Sequence, residues 1–384
     1  MAKKRPNNDG SISRYKNMWR GQYTDPMTHK QRAVYGKTQA ECKAKLDAKL
    51  AEIKNGAYVA PNKITVGGWL DLWFEKYYCN SVKTNTAATT SINIRTVLKP
   101  ALGHILLQKL TAEEIEEFFR HQQEANAAGS TMRRYLTILR QALSKAVKLK
   151  HIPRNPAADV TLPKVEKAEI QFLTRDEQEL FLAVIPATTG GRALRFLLGT
   201  GLRVSEMCGL QWRDIQEDGL HIERVYMTIK DPQNDGYINV TPSPKTTAGK
   251  RIIPLTPTIQ NLLEEQRRVQ IEERLKAGSA WEGAEPGKGN GYVFASKTGK
   301  PADRNNMNRT LHSVLKKAGL PSRGVHALRH TFATNWIQTG NDVVALSRIL
   351  GHTDPSFTYR TYCHPEQRSM VKGMADMESF LKVK

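Results

Sequence analysis

The sequence predicts a multidomain α+β protein, with a small β-sheet-plus-helix module first, an all-α module second, and a mainly α module with a small antiparallel sheet third. The 384 residues are enough for two or three domains. Strand-like runs lie near the N-terminus and again beyond residue 220, and helical periodicity dominates residues 62–163. A charged run ending at Glu169 indicates a linker. We therefore expect domains at residues 1–60, 61–165 and 170–384.

The charge of the chain predicts a polyanionic partner. The sequence contains 58 Lys and Arg against 37 Asp and Glu, a formal net charge of +21. An excess of this size favours binding to nucleic acid. A membrane surface is the competing anion, but the sequence has neither a long apolar run nor an amphipathic anchor. We therefore expect a nucleic acid as the partner and no membrane association.

Cysteine usage and the first residues indicate the compartment. Cys42, Cys79, Cys208 and Cys363 lie far apart and form no Cys-x-x-Cys pair. A disulfide framework or a structural zinc site is therefore not expected, and a reducing cytosol is. The opening Met-Ala-Lys-Lys-Arg has no apolar stretch behind it, unlike a secretory signal. We therefore expect the protein in the cytoplasm.

The first module is predicted to be a three-stranded sheet with one helix. Thr38 and Glu41 have the spacing of a capping box that opens the helix. Residues 1–60 carry 13 Lys and Arg against 5 Asp and Glu, a net charge of +8. We expect this compact basic element to bind DNA, although a solvated basic tail is the simpler alternative. The strand-like runs lie near Ser11 to Tyr15, Met18 to Tyr23 and Gln31 to Tyr35.

The second module is predicted to be helical. Thr65 can cap one helix, and Thr111 with Glu114 forms a capping box that opens a second. Ser130 or Thr131 is expected to open a long third helix. Basic residues crowd the polar faces of this third helix, where they form either a solvated face or a track for DNA phosphates. The apolar stripe expected for the first helix consists of Leu70, Trp73, Phe74 and Tyr77.

The third module is predicted to combine helices with a small antiparallel sheet. Thr174 and Glu177 form a further capping box near its start. Alternating apolar positions indicate strands from Leu220 to Ile229, Tyr237 to Val240 and Arg251 to Leu255. The turn between the last two strands contains Lys245. Further helices are expected at Asn306 to Ala318, His326 to Thr339 and Asn341 to Leu350.

Six side chains in the third module have the residue types that phosphoryl transfer needs. Five motifs carry them in order: Thr-Gly-Leu-Arg-x-Ser-Glu, Pro-Lys-Thr, His-x-Leu-Arg-His, Leu-Gly-His, and a tyrosine ten residues later. Arginine offers a planar, charged fork of donors to phosphate oxygens. Lysine and histidine can move protons, and a tyrosine hydroxyl can attack and hold the phosphate. The candidates are Arg203, Lys245, His326, Arg329, His352 and Tyr362.

Simpler explanations exist for some of these residues taken singly. Arg203 can form a structural salt bridge with Glu206, three residues later. His326 and His330 have the spacing of a metal-binding pair, but the zinc protease pattern requires Glu where this chain has Ala327. We assign His330 to packing or to a supporting contact.

Neighbouring residues also compete with the candidates. Lys250 lies on the same turn as the candidate lysine, and Tyr359 precedes the candidate tyrosine by three residues. Cys363 and His364 have the residue types of a protease pair. Adjacent residues in a helix point in different directions, however, so a cysteine protease is not expected.

Taken together, the five ordered motifs resemble those of the tyrosine recombinases, also called phage integrases. The chain is similar in particular to the three-part integrases of temperate phages and conjugative transposons. The resemblance covers the whole chain and is strongest over residues 170–384. It implies an N-terminal arm-type DNA-binding domain, a helical core-binding domain of SAM-like fold, and a C-terminal catalytic domain. It also implies that the six candidates are the catalytic residues and that the reaction uses no cofactor and no metal ion.

The resemblance also implies a mechanism. Tyr362 attacks a scissile phosphate and forms a 3′-phosphotyrosine, which the 5′-hydroxyl of another strand then attacks, so that no ATP is needed. Lys245 protonates the departing 5′-oxygen, and His326 assists proton transfer at the tyrosine. The residues that bind the phosphate oxygens are Arg203, Arg329 and His352.

The implied reaction is the integration and excision of a mobile element or prophage. Its implied partners are core and arm attachment sites in double-stranded DNA, further copies of the chain in a homotetramer on paired sites, and an excisionase and DNA-bending proteins. A type IB topoisomerase or a telomere resolvase uses similar residues and is the alternative enzyme class. A non-catalytic DNA-binding protein explains the charge but not six ordered reactive residues.

Overall fold

The computed structural model divides into two compact units, one covering residues 1–167 and 230–235 and the other residues 168–229 and 236–384. No helix in the parts of the chain that the structure describes is long and apolar enough to cross a membrane. The residues described are 10–26, 28–56, 58–162, 170–231, 236–242, 249–285 and 289–362.

The first unit begins with an antiparallel sheet of order β1-β2-β3, covered on one face by a helix. The hydroxyl of Thr38 accepts a hydrogen bond from the N–H of Glu41 (3.2 Å), as expected for an N-cap. The Glu41 carboxylate accepts from the N–H of Lys37, so the reciprocal bond of a capping box is shifted by one residue. The elements are β1 (Ser11–Tyr15), β2 (Met18–Thr24), β3 (Gln31–Gly36) and α1 (Gln39–Lys54).

The rest of the first unit is helical and has its own apolar core. Trp69 lies at the centre of that core and donates a hydrogen bond from Nε1 to the carbonyl of Ala142 (2.9 Å). Thr111 and Glu114 form the predicted capping box with both bonds present. Two π-helical segments, Phe74–Tyr78 and Ile94–Leu98, continue the first two helices. The helices are α2 (Val66–Trp73), α3 (Thr84–Asn93), α4 (Lys99–Leu102), α5 (Ala112–Glu124) and α6 (Gly129–Lys148).

Two sequence-based expectations for this helical part are wrong. The long helix α6 begins at Gly129, and its N-cap is Ala128, which has no side-chain oxygen, so neither Ser130 nor Thr131 opens it. The π-helical turn after α2 has more residues per turn than an α-helix and therefore rotates the following side chains. Tyr77 therefore leaves the apolar stripe and is 39% exposed, with the Lys145 ammonium 4.4 Å from its ring centroid.

The second unit is built around α8, which packs against helices α10, α11 and α12. Its core is one large apolar cluster that includes Leu194, Phe196 and Phe294. The predicted capping box of Thr174 and Glu177 is present. The helices are α7 (Arg175–Val184), α8 (Thr189–Thr200), α9 (Val204–Cys208), α10 (Pro257–Ala277), α11 (Arg304–Lys317), α12 (His326–Gln338), α13 (Val343–Leu350) and α14 (Pro355–Tyr362).

The strands that the structure describes in this unit form two small sheets rather than one, with orders β4-β5-β8 and β6-β7. The strand expected from Leu220 to Ile229 is interrupted because the N–H groups of Val225 and Tyr226 bond to the carbonyls of Pro242 and Ser205. Lys245 lies between the last two strands, outside the described residues. The strands are β4 (Ile215–Gln216), β5 (Gly219–Ile222), β6 (Met227–Lys230), β7 (Tyr237–Val240) and β8 (Arg251–Ile253).

We predict that Gly201→Ala lowers the free energy of unfolding more than Gly340→Ala does. Both glycines have left-handed backbones, with φ of +65° and +77°, which alanine adopts at a cost of about 1–2 kcal/mol. A Cβ at residue 201 would lie 2.4 Å from Cδ1 of Phe332, whereas at residue 340 it would meet nothing within 4 Å. The backbone cost is common to both variants, so the difference between their unfolding free energies in urea measures the contact with Phe332. Overpacking of this kind costs about 1–3 kcal/mol. Equal losses of stability would contradict the prediction.

Candidate active site

The C-terminal end of α13 is the point at which three arginine side chains converge. The helix ends at Leu350, and Gly351 follows with a left-handed φ of +66°. The N–H of His352 bonds back to the carbonyl of Ser347 (3.0 Å), as in a Schellman cap. A helix C-terminus carries unpaired carbonyls and partial negative charge, and therefore favours cations. The carbonyls of Ile349, Leu350 and Gly351 accept hydrogen bonds from Arg251, Arg329 and Arg203, respectively.

Arg329 on α12 is the most buried of the three arginines, with 2% exposure. Its Nη2 donates to the carbonyl of Leu350 (2.7 Å), and its Nη1 donates to the carbonyl of Gly201 (3.0 Å) at the end of α8. The guanidinium is thus fixed between the C-terminal ends of two helices. Burial and the charge of Arg203 lower the pKa of Arg329 to about 9, which leaves it charged at physiological pH.

Arg203 and Arg251 share a buried carboxylate. Arg203 Nη1 lies 2.8 Å from Oε1 of Glu206, and Arg251 Nη2 lies 2.9 Å from Oε2. The same carboxylate accepts a bond from the N–H of Arg203 (3.0 Å), which fixes the start of α9. Burial alone would raise the pKa of Glu206, but Arg251 and Arg203 outweigh it and hold the pKa below its ordinary value. The salt bridge considered from the sequence is present, and it positions an arginine of the candidate site.

His352 follows the α13 cap and contacts Arg329 directly. Its Nε2 lies 2.9 Å from Arg329 Nη2, and its Nδ1 lies 2.8 Å from Oγ1 of Thr358. A guanidinium can only donate, so Nε2 is the acceptor and the ring proton is on Nδ1. Burial and the charge of Arg329 lower the pKa of His352 to about 4, and the ring is neutral.

The hydroxyl of Tyr362 lies 2.7 Å from Nδ1 of His330. The ring of His326 packs edge to face on that of His330, with centroids 4.6 Å apart. Burial raises the pKa of Tyr362, although Arg329 and Arg203 oppose this. Burial, together with His330 and Arg329, lowers the pKa of His326 to about 4.

The contact of Tyr362 with His330 differs from the sequence-based assignment, which gave His330 a packing role or a supporting contact and gave His326 the role at the tyrosine. Tyr362 packs against the apolar cluster that α12 and α13 form around Phe332 and Ala333, beyond the first turn of α12. The hydroxyl of Tyr362 therefore contacts His330, in the second turn of α12, rather than His326 in the first turn.

Five of the six candidates thus lie in one cluster, and Lys245 falls outside the described residues. Its rival Lys250 is bound to Glu223, with 3.1 Å from Nζ to Oε2. The rival tyrosine, Tyr359, is 48% exposed. Among the described residues, no group of three or more His, Cys, Asp or Glu could hold a metal ion. The structure therefore brings together a tyrosine, two neutral histidines and two arginines of the predicted set.

Sequence reasoning missed two residues of this cluster, Arg251 and His330. Arg251 opens the short strand β8 and is followed by two isoleucines. A charged residue next to an apolar pair in a strand can signal a buried ion pair, because a buried charge requires a partner. His330 was visible in the His-x-Leu-Arg-His motif, but its partner lies 32 residues away in the sequence.

Two family models match the chain. The model of the phage integrase family matches residues 171–368, and that of the phage integrase N-terminal SAM-like domain matches residues 65–122. A tyrosine recombinase XerC-like protein of Caldanaerobacter subterraneus subsp. tengcongensis is 30% identical over 351 residues, which cover 87% of this chain and 88% of the relative. The transposase from transposon Tn916 of Enterococcus faecalis is 24% identical over 321 residues, covering 79% and 74%.

Solved structures share the fold. The Tn1549 transposon integrase in complex with a circular intermediate DNA has a TM-score of 0.67 at 24% identity, covering 82% of this chain and 99% of the other. A lambda integrase tetramer bound to a Holliday junction has a TM-score of 0.58 at 18% identity, covering 94% and 96%. The predicted α+β fold class, helix-rich with small antiparallel sheets, is confirmed.

We predict that Glu206→Gln lowers the free energy of unfolding by about 3 kcal/mol at pH 7, because it leaves the buried Arg251 and the partly exposed Arg203 without their carboxylate. The folded-state pKa of Glu206 lies below its ordinary value of 4.5. Its stabilising effect is therefore complete above that value and is lost as the pH falls towards the folded-state pKa. Urea unfolding should show the gap between wild type and variant narrowing below about pH 4.5.

The exposed Glu217→Gln in the same unit is the matched control and should change stability little at any pH. If the free energy of unfolding of Glu206→Gln stays below that of wild type by the same amount from pH 7 down to about pH 3.5, the carboxylate charge is not what stabilises the arginines.

Proposed function

The chain belongs to the phage integrase family and is a tyrosine recombinase, an enzyme that cuts and rejoins DNA, and we propose that Tyr362 is its nucleophile. The observation that carries the proposal is the cluster in which the Tyr362 hydroxyl contacts His330 and lies in the field of Arg203 and Arg329. A tyrosine hydroxyl beside two fixed positive charges is placed to attack a phosphodiester and to remain bound to it as a 3′-phosphotyrosine.

Arg203 and Arg329 are proposed to neutralise the non-bridging oxygens of the scissile phosphate. Arg203 is 36% exposed at its side chain, so it can reach a phosphate at the surface. Arg329 is buried and held by two carbonyls, and it supplies a fixed charge. Positive groups fixed before the reaction need no reorganisation as charge develops, and losing one typically costs about 3 kcal/mol, roughly a hundredfold in rate.

The two predicted histidines have different proposed parts. His352 lies against Arg329 and is proposed to donate to the same phosphate oxygens. Its Nε2 now accepts from Arg329, so this donation requires a proton at Nε2, which a nearby phosphate charge favours. His326 packs on the ring of His330 and completes the cluster.

Lys245 is proposed to protonate the departing 5′-oxygen. The lysine that competes with it, Lys250, is paired with Glu223 and is half exposed, which favours Lys245. The bond broken and the bond formed are both phosphodiesters of similar energy, so the proposed exchange uses neither ATP nor a cofactor. The relatives named above are recombinases, integrases and transposases, which favours strand exchange over the alternative of a type IB topoisomerase or telomere resolvase.

We propose that the chain integrates and excises a mobile element at core and arm sites in double-stranded DNA. A homotetramer on paired sites is proposed because lambda integrase, which shares the fold, forms a tetramer on a Holliday junction. An excisionase and DNA-bending proteins are the further proposed partners, and the bacterial nucleoid is the proposed place of action. The proposed domains are an arm-type domain at 1–60, a core-binding domain at 61–165 and a catalytic domain at 170–384.

The open face of the N-terminal sheet is the proposed arm-site surface. Helix α1 covers the other face, where Gly21 lies against Cys42 and Leu46. On the open face the Arg20 guanidinium lies 5.0 Å from the ring centroid of Tyr15, and both are close to an exposed Tyr35. A basic sheet face of this size can enter the major groove and contact base edges and phosphates.

We predict that Tyr362→Phe abolishes covalent attachment to DNA and leaves DNA binding nearly intact. The phenyl ring fills the same space, and only the nucleophilic hydroxyl is lost. Tyr359→Phe, in the same helix but exposed, is the matched control and should keep the adduct. A suicide substrate and peptide mapping measure the adduct; attachment at Tyr359 would refute the assignment.

We predict that cleavage by Lys245→Ala is slow on a normal phosphodiester but is restored on a substrate with sulfur at the bridging 5′ position. A thiolate leaves without a proton, so the acid becomes dispensable. Lys250→Ala is the control and should cleave both substrates like wild type, since Lys250 pairs with Glu223. Sulfur rescue of Lys250→Ala instead would move the acid to that residue.

We predict that Arg20→Ala weakens binding to the arm site and lowers its log–log salt slope by about 0.9. Lys49→Ala removes the same charge from α1, on the covered side of the sheet where Lys49 pairs with Glu52, and should leave the slope almost unchanged. Titrations of arm-site DNA with each variant at several salt concentrations measure the affinity and the salt slope. Equal effects of the two substitutions would mean that the open face is not the binding surface.

A further inference from the structure

Tyr362 contacts a base that the family motif alone did not assign to it. Its hydroxyl lies 2.7 Å from Nδ1 of His330, within the range in which a proton can pass. To attack phosphorus, the neutral phenol has to lose this proton. Burial raises the pKa of Tyr362, so free tyrosinate is scarce at neutral pH and an acceptor beside the hydroxyl is needed.

The other two histidines of the cluster are engaged elsewhere. His352 accepts from Arg329 at Nε2 and donates from Nδ1 to Thr358. His326 lies one helical turn before His330 and meets its ring edge to face. Burial and the charge of Arg329 lower the pKa of His330, so its ring is neutral and Nδ1 has a lone pair for the hydroxyl proton.

We infer that His330 is a catalytic residue, the proton acceptor for Tyr362 during cleavage and the proton donor to it during rejoining; the inference rests on the proposed function of Tyr362. In cleavage the bond from Tyr362 Oη to phosphorus forms, the bond from phosphorus to the 5′-oxygen breaks, and the phenolic proton moves to Nδ1. The 5′-oxygen takes a proton from the acid assigned to Lys245. In rejoining a 5′-hydroxyl attacks phosphorus and gives its proton to the neutral amine of Lys245. The bond from phosphorus to Tyr362 Oη breaks, and the imidazolium of His330 returns its proton to the departing tyrosine oxygen.

The charged surroundings of His330 fit both directions of this transfer. The titratable and charged groups around it are His326 and Arg329 on its own helix and Tyr362 on α14, with Arg203 acting on both Tyr362 and His326. Burial and the charge of Arg329 disfavour an imidazolium before a phosphate binds, which keeps the base free. A bound phosphate supplies the negative charge that makes the imidazolium tolerable once the proton has moved.

The test uses the full-length chain and a suicide DNA substrate with sulfur at the bridging 5′ position. Because a thiolate leaves without an acid, the single-turnover cleavage rate on this substrate reports only the tyrosine side of the reaction. The variants are His330→Ala, His330→Asn, His326→Asn and His312→Asn. Asparagine at residue 330 keeps a hydrogen-bond acceptor near the Nδ1 position but cannot take a proton. His312 bonds to Ser322 outside the cluster, so His312→Asn is the matched control and should cleave like wild type.

We expect His330→Ala and His330→Asn each to cleave about a hundredfold more slowly at pH 7, with DNA binding unchanged. The wild-type cleavage rate should rise with pH and become constant before the pH reaches about 6.5. A histidine whose pKa is lowered has already lost its proton at that pH. Both variants should instead accelerate about tenfold per pH unit towards the tyrosine pKa. Imidazole in the buffer should restore part of the His330→Ala rate, because the truncated side chain leaves room for it.

Three results would overturn the inference: cleavage by His330→Ala within threefold of wild type, a wild-type rate for His330→Asn, or the rate loss and the new pH slope appearing in His326→Asn instead. A wild-type rate for the asparagine variant would mean that His330 only positions the tyrosine. In each of these cases the adduct would still map to Tyr362, so the proposed nucleophile would stand. An adduct at another residue would refute the proposed function itself, independently of His330.

Discussion

The arrangement of the site depends on the bonds between three guanidinium groups and the carbonyl end of one helix. The last carbonyls of α13 would otherwise face the interior without partners, and the arginines would otherwise repel one another. The carbonyls and the guanidinium groups each offset the desolvation cost of burying the other, because the helix end carries partial negative charge. Left-handed glycines make this possible: Gly351 ends α13 and Gly201 ends α8, and each presents a carbonyl to an arginine. His352 then emerges from the same cap, next to Arg329.

The electrostatic balance of the cluster is incomplete without a substrate anion. Glu206 offsets Arg203 and Arg251, while Arg329 relies on neutral carbonyls and on the lone pair of His352. Burial and the excess positive charge together lower the pKa of the neighbouring histidines and keep their rings neutral. A phosphodiester entering the site reverses this balance, since it pairs with the arginines and favours protonated histidines. The same charges thus attract the substrate and change the acid–base state of the groups that act on it.

Much of the fold and most of the candidate site could be predicted from the sequence, because local signals determined them. Side-chain caps such as Thr111 and Thr174 and the strand-like run of β1 identified elements that depend on a few adjacent residues. The ordered motifs identified five residues that the structure brings together. The predictions of secondary structure failed where contacts with residues distant in the sequence determine the element, or where no local signal marks its start. Val225 and Tyr226 leave their expected strand because carbonyls from other segments bind them, and α6 starts without any side-chain cap.

Contacts between residues far apart in the chain also account for the functional residues that the sequence did not reveal. A contact between residues 330 and 362 depends on how α14 packs over α12, which no local pattern encodes. Arg251 binds Glu206 and the end of α13 across long separations in the chain. Residue types and spacing therefore identified the reactive groups, whereas the groups that hold them and exchange protons with them required the tertiary structure.

The central claim is that arginines fixed by the end of α13 act by neutralising phosphate charge. It is tested most directly by comparing Arg329→Ala with wild type on two DNA substrates, one normal and one with a neutral methylphosphonate at the scissile position. Both substrates meet the same protein, so any loss of folded enzyme cancels. The account predicts a loss of roughly a hundredfold or more on the phosphodiester and a much smaller loss on the methylphosphonate. An equal loss on both substrates would contradict it, because Arg329 would then serve the fold rather than the charge of the phosphate.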